Sequence, residues 1–213
     1  MIFRLFGLLC SVSTILGLAV ASAHAHPHVW VKFTTELVYA SDGTVTGVRH
    51  AWTFDDMYST FTTQGVKGKQ KGAFTRDELA PVAEETITSL KDFDYFTFAK
   101  ADGKTAKFNE PVDHWLEFNN EMLTLHFFLP LSTPVKAANL DVEVYDPEFF
   151  IDFELAETDP VKLTGAPAAC KLALTRPPDP SAPLQSQRLS EAMVNQQTNY
   201  GAMFANKIAV TCP

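Results

Sequence analysis

The chain has 213 residues, with 25 acidic and 17 basic side chains and a formal net charge of −8 at neutral pH. This acidic balance argues against nucleic acid as a partner, because binding to phosphates needs a basic surface. After the first 25 residues no apolar run of membrane-spanning length follows, and the remaining length suits one folded domain.

Residues 1–25 predict a cleaved secretory signal peptide. Arg4 supplies the positive charge, an uncharged apolar stretch covers residues 5–21, and Ala23-His24-Ala25 has the small residues that precede a cleavage site. The alternative is an uncleaved membrane anchor, which the shortness of the apolar run disfavours. We therefore expect the chain to be exported and its mature form to begin at His26.

Residues 28–54 predict a β-hairpin. Apolar and polar side chains alternate over residues 28–40, and Asp42-Gly43 is a two-residue hairpin turn. The register set by this turn matches apolar with apolar and acid with base: Val31 with Phe54, Phe33 with Trp52, Leu37 with Val48, and Glu36 with Arg49. It also places Trp30 opposite Asp55 and His28 on the same polar face.

The next segment predicts a short helical piece and a loop over residues 57–74. Thr75-Arg76-Asp77-Glu78 is a capping box, and apolar residues at helical spacing continue to about Leu90. Strands follow at residues 95–101 and 105–109, joined by a turn at Asp102-Gly103.

Residues 112–130 predict a second hairpin, which turns near Asn119-Asn120. A two-residue loop places Leu116 opposite Leu123 and Asp113 opposite His126. A three-residue loop places His114 opposite His126 instead. The matching of apolar residues favours the two-residue loop.

The carboxyl-terminal part predicts further strands and a second helix: strands at residues 141–145, 148–155, 171–175 and 207–211, and a helix from Leu184 to about Asn199. Removal of the leader leaves Cys170 and Cys212, and an exported chain with two cysteines most simply forms a disulfide. The alternative, two thiolate metal ligands, is disfavoured because neither cysteine has a histidine or cysteine nearby in the sequence.

These elements predict an α+β fold of mostly antiparallel β-hairpins, with about two helices packed on the sheets and one carboxyl-terminal disulfide. We expect residues 26–213 to form one domain. Its main β-rich part covers residues 26–165, and residues 166–213 form a segment pinned by the disulfide.

The sequence His26-Pro27-His28 at the expected mature terminus offers an amine and two imidazoles to a metal ion. Pro27 has no amide hydrogen, so the square-planar copper or nickel site that uses the amide of the second residue is excluded. Imidazoles with a carboxylate suit zinc, and nickel, cobalt or copper are alternatives. The sequence therefore predicts a metal site of His26, His28 and Asp55, with Asp56 as a further candidate. The alternative is that His-Pro-His only follows the cleavage site.

Other candidate ligands are weaker. His126 with Asp113 resembles a metal-bound histidine held by a carboxylate, although a structural pair fits equally. His50 lies on the apolar face of its strand, where a core histidine is commoner than a ligand. An acidic group of Asp146, Glu148, Asp152 and Glu154 fits a solvated turn better than a site for a hard cation. The chain has no nucleophile motif and no phosphate-binding glycine loop, so we do not expect an enzyme.

Several short motifs occur in a fixed order: His26-Pro27-His28-Val29-Trp30, Trp52-Thr53-Phe54-Asp55-Asp56-Met57-Tyr58-Ser59, Tyr145-Asp146-Pro147-Glu148-Phe149-Phe150-Ile151-Asp152-Phe153, and a cysteine near the carboxyl terminus. In these motifs the chain resembles a family of bacterial periplasmic proteins known as domain of unknown function 1007. The resemblance implies a periplasmic component, similar to those of ABC transporters, that is associated with metal transport. It carries over as pattern positions His26, His28, Asp55, Asp56, Asp146 and Asp152.

The expected function is therefore that of a periplasmic metal-handling accessory protein, which passes zinc, or nickel or cobalt, to or from an inner-membrane permease. It would meet the membrane only by docking to that permease. One alternative is a copper-binding or oxidase-like enzyme with an amino-terminal histidine and a partner such as His126. Another is a metal-free interaction module of the cell envelope.

Overall fold

The computed structural model describes residues 27–69 and 72–213. Its strands are β1 (Val29–Tyr39), β2 (Val45–Phe54), β3 (Thr97–Ala101), β4 (Lys104–Ala106), β5 (Val112–Asn119), β6 (Met122–Val135), β7 (Asn139–Val144), β8 (Ile151–Leu155), β9 (Val161–Thr164), β10 (Lys171–Thr175) and β11 (Asn206–Thr211). Its α-helices are α1 (Asp56–Thr63), α2 (Arg76–Ser89) and α3 (Pro183–Val194), and 3₁₀ segments cover Leu90–Phe96 and Tyr200–Phe204.

Two sheets make up the fold. The six-stranded sheet has the order β5-β6-β2-β1-β8, with β9 also paired to β1, and the five-stranded sheet has the order β10-β11-β7-β3-β4. Most neighbours are antiparallel, so the predicted α+β class is confirmed, with three α-helices where about two were expected. None of the helices in the described part of the chain is long and apolar enough to cross a membrane.

The first hairpin has the predicted register. Phe33 lies opposite Trp52, Leu37 opposite Val48, and Glu36 opposite Arg49. A β-bulge between Val38 and Tyr39 shifts only the last pair. The start of β1 therefore lies opposite the end of β2, as the predicted register requires.

Strand β1 also has a second set of neighbours that the hairpin pattern did not predict. On its other edge β8 runs parallel to it, with Val29 opposite Ile151 and Trp30 opposite Asp152. Farther along, Thr35–Val38 pairs in parallel with β9. The start of β1 is thus brought beside an acidic strand more than 120 positions later in the chain.

The core lies where apolar side chains of both sheets and of α2 meet. Its largest fully buried members include Phe33, Trp52 and Phe127, and burial of such side chains is the main stabilising term in folding. Helix α2 packs against β5 and begins with the predicted capping box between Thr75 and Glu78.

The predicted register of the second hairpin is wrong. The loop is Asn120-Glu121, both residues have positive φ, and Leu116 lies opposite Leu125. The opposite strand is displaced by two residues from the favoured prediction, and His126 faces Trp115 instead of Asp113 or His114. Because side chains alternate with a period of two, this displacement leaves the same residues inside, and apolar matching could not detect it.

The predicted disulfide is confirmed. Cys170 and Cys212 are bonded, with their Cα atoms 4.2 Å apart, and β10 pairs with β11 as expected. Strand β11 also pairs with β7, so it lies inside the sheet while β10 forms the edge. Thiolate ligation of a metal by these cysteines is thereby excluded.

Candidate functional site

His26 lies outside the described residues, so the structure begins at Pro27, immediately before β1. His28 is exposed, and its ring stacks on that of Phe150 with the centroids 4.7 Å apart. Its backbone N–H donates to the carbonyl oxygen of Phe150 at 2.8 Å. The second predicted imidazole ligand is thus held at the protein surface beside the turn that leads into β8.

Asp55 lies opposite Trp30, as predicted, and closes the end of the hairpin. One carboxylate oxygen accepts the Tyr58 N–H at 2.8 Å and thereby caps α1, and the other accepts the Trp30 N–H at 2.9 Å. Its own N–H donates to the Trp30 carbonyl. These contacts give Asp55 a structural role without a metal. Asp56 is exposed, and its carboxylate accepts the N–H of Met57.

A cavity of about 690 Å³ opens at the start of β1. Pro27 and Trp30 line it on one side, and Asp152 and Glu154 of β8 line it beside them. The remaining lining comes mainly from residues 176–181, with contributions from α3 and β11. The parallel pairing of β1 with β8 therefore places two carboxylates in a cavity that Pro27 also lines.

Three carboxylates, those of Asp152, Glu154 and Asp179, line this cavity. Burial, with a further contribution from Glu154 and Asp179, raises the pKa of Asp152 to about 6. Arg176 also lines the cavity, but its guanidinium donates to the carbonyl oxygens of Leu155 and Ala156. With three carboxylates and one guanidinium in its lining, the cavity is an environment in which a bound cation would favour the charged form of Asp152.

Replacing Asp152 with asparagine is therefore expected to stabilise the free protein at pH 7.5 by about 1–2 kcal/mol, a value discounted for solvent screening. Because the folded-state pKa is above that of the unfolded chain, the native state bears the full cost only above pH 6. The gain should become small near pH 4. Urea unfolding at both pH values measures it, with the exposed Asp141→Asn as control. A loss of stability at pH 7.5 would contradict the expectation.

The predicted acidic group around the turn is divided by the structure. Asp146 is buried, and its carboxylate accepts the backbone N–H groups of Glu148, Phe150 and Ile151. It organises the turn before β8, whereas Asp152 belongs to the cavity. The two pattern positions Asp146 and Asp152 thus have different surroundings.

His50 is a core residue, only 1% exposed, and both ring nitrogens are hydrogen-bonded. The Thr97 hydroxyl donates to the carbonyl oxygen of Tyr95, so it accepts from Nε2–H of His50. Nδ1 then accepts from the Thr35 hydroxyl at 3.0 Å. This directed chain assigns the neutral Nε2–H tautomer and leaves no ring nitrogen for a metal.

His126 is distant from the start of β1. Its ring stacks on Trp115 with the centroids 4.0 Å apart, and Nε2 lies 3.2 Å from a carboxylate oxygen of Glu117. Burial lowers its pKa, against the opposing effect of Glu117. Across the sheet His126 lies opposite Ala51, and Ala51 lies opposite Thr34 of β1. Thr34 is six positions from His28 along the chain, which corresponds to about 20 Å. The predicted pairing of His126 with Asp113 is wrong.

Within residues 27–69 and 72–213, no three His, Cys, Asp or Glu side chains are grouped so as to hold a metal ion. His28 and Asp55 therefore need a ligand from outside these residues, and His26 is the predicted one. A second hollow of about 910 Å³, on the five-stranded sheet, contains none of the predicted ligands.

The sequence patterns did not predict that the residues lining the cavity come together. Asp152 and Glu154 were visible as members of an acidic group, but Asp179 lies in a proline-rich run with no local signal of its role. The parallel contact of β1 with β8 and the disulfide-closed segment bring these residues together.

Two comparisons place the chain among known proteins. A protein of Haemophilus influenzae described as "Uncharacterized protein" is 24% identical over 206 residues, which cover 94% of this chain and 98% of the relative. Residues 11–212 match the family described as "Protein of unknown function (DUF1007)". Since this match spans nearly the whole sequence, the chain belongs to the DUF1007 family.

Proposed function

We propose that the protein is a periplasmic metal-handling accessory protein that passes zinc, or nickel or cobalt, to or from an inner-membrane permease. The observation that carries the proposal is the carboxylate-lined cavity at the start of β1, next to Pro27. It supports a cation site beside the two histidines of the expected mature terminus. Binding and release of a metal need no catalytic group.

In this proposal the imidazoles of His26 and His28 supply nitrogen ligands and a carboxylate supplies oxygen, a donor set that suits zinc. Asp55 stays the predicted carboxylate. Asp152 is a competing candidate, because Asp55 already accepts two backbone N–H groups. In contrast, burial, with a further contribution from neighbouring carboxylates, disfavours the charge on Asp152, which a metal ion would offset. The variants Asp55→Asn and Asp152→Asn distinguish these two carboxylates, because loss of the true ligand should weaken zinc binding.

Zinc titration by calorimetry tests the proposal on protein with the native mature terminus and no amino-terminal tag. We expect the His26→Ala, His28→Ala double variant to bind at least 100-fold more weakly, because both nitrogen ligands are lost. Affinity should also fall below about pH 6, where imidazoles take up protons. His114→Ala, which removes a histidine bonded to Glu84 of α2, is the matched control.

Equal zinc affinity in the wild type and the double variant would exclude the proposed ligands. No binding of zinc, nickel, cobalt or copper by the wild type, together with retained capture of a permease, would favour the metal-free interaction module. No observation on the described residues favours the oxidase-like alternative, since its candidate partner His126 is distant from β1's start.

A further inference from the structure

The disulfide closes the segment that forms one wall of the cavity. Cys170 and Cys212 are 42 positions apart, and the chain between them contains β10, the proline-rich residues, α3 and β11. This segment contributes to the cavity lining residues 176–181, and from α3 Ser186 and Leu189. The other wall belongs to β1 and β8, which lie outside the covalent loop.

Part of this segment is held independently of the disulfide. Ile208 and Val210 of β11 are buried, and β11 pairs with β7. The Asn206 side-chain amide donates to the carbonyl oxygen of Phe153, and its oxygen accepts the N–H of Leu155. Helix α3 and the second 3₁₀ segment share a small apolar cluster of Phe149, Leu189 and Phe204. These parts should stay in place when the disulfide is broken.

Strand β10 is held much less firmly. All five of its residues are exposed, including Leu172 at 36% and Leu174 at 38%, and among the described strands it pairs with β11 alone. Residues 176–182, here called the strap, continue from it, and Arg176 fastens the strap to the carbonyl oxygens of Leu155 and Ala156. With so little buried apolar surface, β10 depends on the bond at Cys170.

We propose that the Cys170–Cys212 disulfide is a redox-dependent latch that holds β10 and the strap against β8 and so closes the cavity. When the bond is reduced, β10 and the strap detach while β11 and α3 stay, and the wall that carries Asp179 opens. Both cysteines are partly exposed, so a reductant can reach them.

The chemistry is a thiol–disulfide exchange. On closing, the two thiols lose two protons and two electrons to a disulfide-containing oxidant, which becomes a dithiol. On opening, a dithiol such as dithiothreitol reduces the bond and becomes a cyclic disulfide. The latch therefore closes after the chain enters an oxidising compartment.

If the proposed metal handling holds, on which this consequence rests, the latch makes cation capture follow export. A reduced chain lacks the closed wall and would bind a metal weakly. Once the disulfide has formed, Asp179 is fixed in the lining that it shares with Asp152 and Glu154. The metal would then be acquired in the compartment where the protein acts.

Hydrogen–deuterium exchange tests the latch without any metal. We expect the amides of residues 172–175 and 181–182 to exchange at least tenfold faster in the Cys170→Ser, Cys212→Ser variant than in the oxidised wild type. Amides of β7, which lies on the other side of β11 from β10, should change less than twofold. Equal exchange rates at residues 172–175 and 181–182 in the two proteins would overturn the latch. Acceleration by the same factor throughout the chain would also overturn it.

Two further arms separate the proposals. Arg176→Ala with the disulfide intact should accelerate exchange in the strap but leave residues 172–175 protected. Zinc titration then compares the wild type with the double serine variant, in which no free thiol competes for the metal. Equal zinc affinity would refute the coupling to capture, whereas absence of binding in both proteins would refute metal handling and leave the exchange result to decide the latch.

Discussion

Replacing Gly201 with alanine is expected to destabilise the protein by about 3 kcal/mol or more. A Cβ atom on Gly201 would lie 1.8 Å from the carbonyl oxygen of Asp146 and 3.1 Å from the backbone nitrogen of Phe149. Both neighbours are backbone atoms of the turn before β8, so no side-chain rotation can remove the overlap.

The backbone of Gly201 and that of the turn are also joined by a hydrogen bond. The Gly201 N–H donates to the carbonyl oxygen of Pro147 at 2.9 Å, and the Asp146 carboxylate holds the rest of the turn. A Cβ would push residues 200–204 away and separate Phe204 from Phe149, whose ring centroids are 4.3 Å apart. The loss should therefore extend to the small apolar cluster beneath α3.

Urea unfolding at pH 7.5 measures this effect. Gly103→Ala is the control, because Gly103 has a positive φ of 76° but open space around its Cβ position. It should cost about 1 kcal/mol, the strain of a left-handed residue alone. A Gly201→Ala variant no less stable than Gly103→Ala would show that the backbones separate at little cost.

Stability is expected to fall by about 3 kcal/mol between pH 7 and pH 4 because of His50 alone. Burial lowers the pKa of His50 to about 3, whereas the unfolded chain has a histidine pKa near 6.5. Below pH 6.5 the His50 imidazole is therefore protonated in the unfolded state but stays neutral in the folded state. The stability provided by neutral His50 is complete above pH 6.5 and is lost as the pH falls towards 3.

His50→Gln isolates this contribution, since its amide can accept from Thr35 and donate to Thr97 but does not titrate. The change in unfolding free energy from pH 7 to pH 4 should be about 3 kcal/mol smaller in the variant than in the wild type. Nitrogen NMR of the imidazole should show the Nε2–H tautomer. An Nδ1–H tautomer, or equal pH dependence of both proteins, would contradict the assignment.

Local patterns predicted those parts of the fold that local chemistry determines. The Asp42-Gly43 turn predicted the register of the first hairpin and hence the contact of Asp55 with Trp30. The capping box predicted the start of α2, and two surviving cysteines predicted the disulfide. In each case the signal lies within a few residues or in the composition of the whole chain.

Long-range pairing was beyond these patterns. The parallel contact of β1 with β8 joins two strands of one sheet that are far apart in the sequence, and no short motif encodes it. In the second hairpin, the loop at Asn120-Glu121 shifts the register of the adjoining pairs by two residues without changing the buried face. His126 therefore acquired a neighbour that alternation could not predict.

The side chain of Asn206 has a further consequence for solubility. Strand β8 is an edge strand, and exposed backbone groups on such an edge invite pairing with another chain. Asn206 engages Phe153 and Leu155 as a single residue of a partner strand would, and Arg176 occupies the next carbonyl oxygen. Together they protect this edge against intermolecular β-pairing, so detachment of the strap would remove part of a safeguard against aggregation.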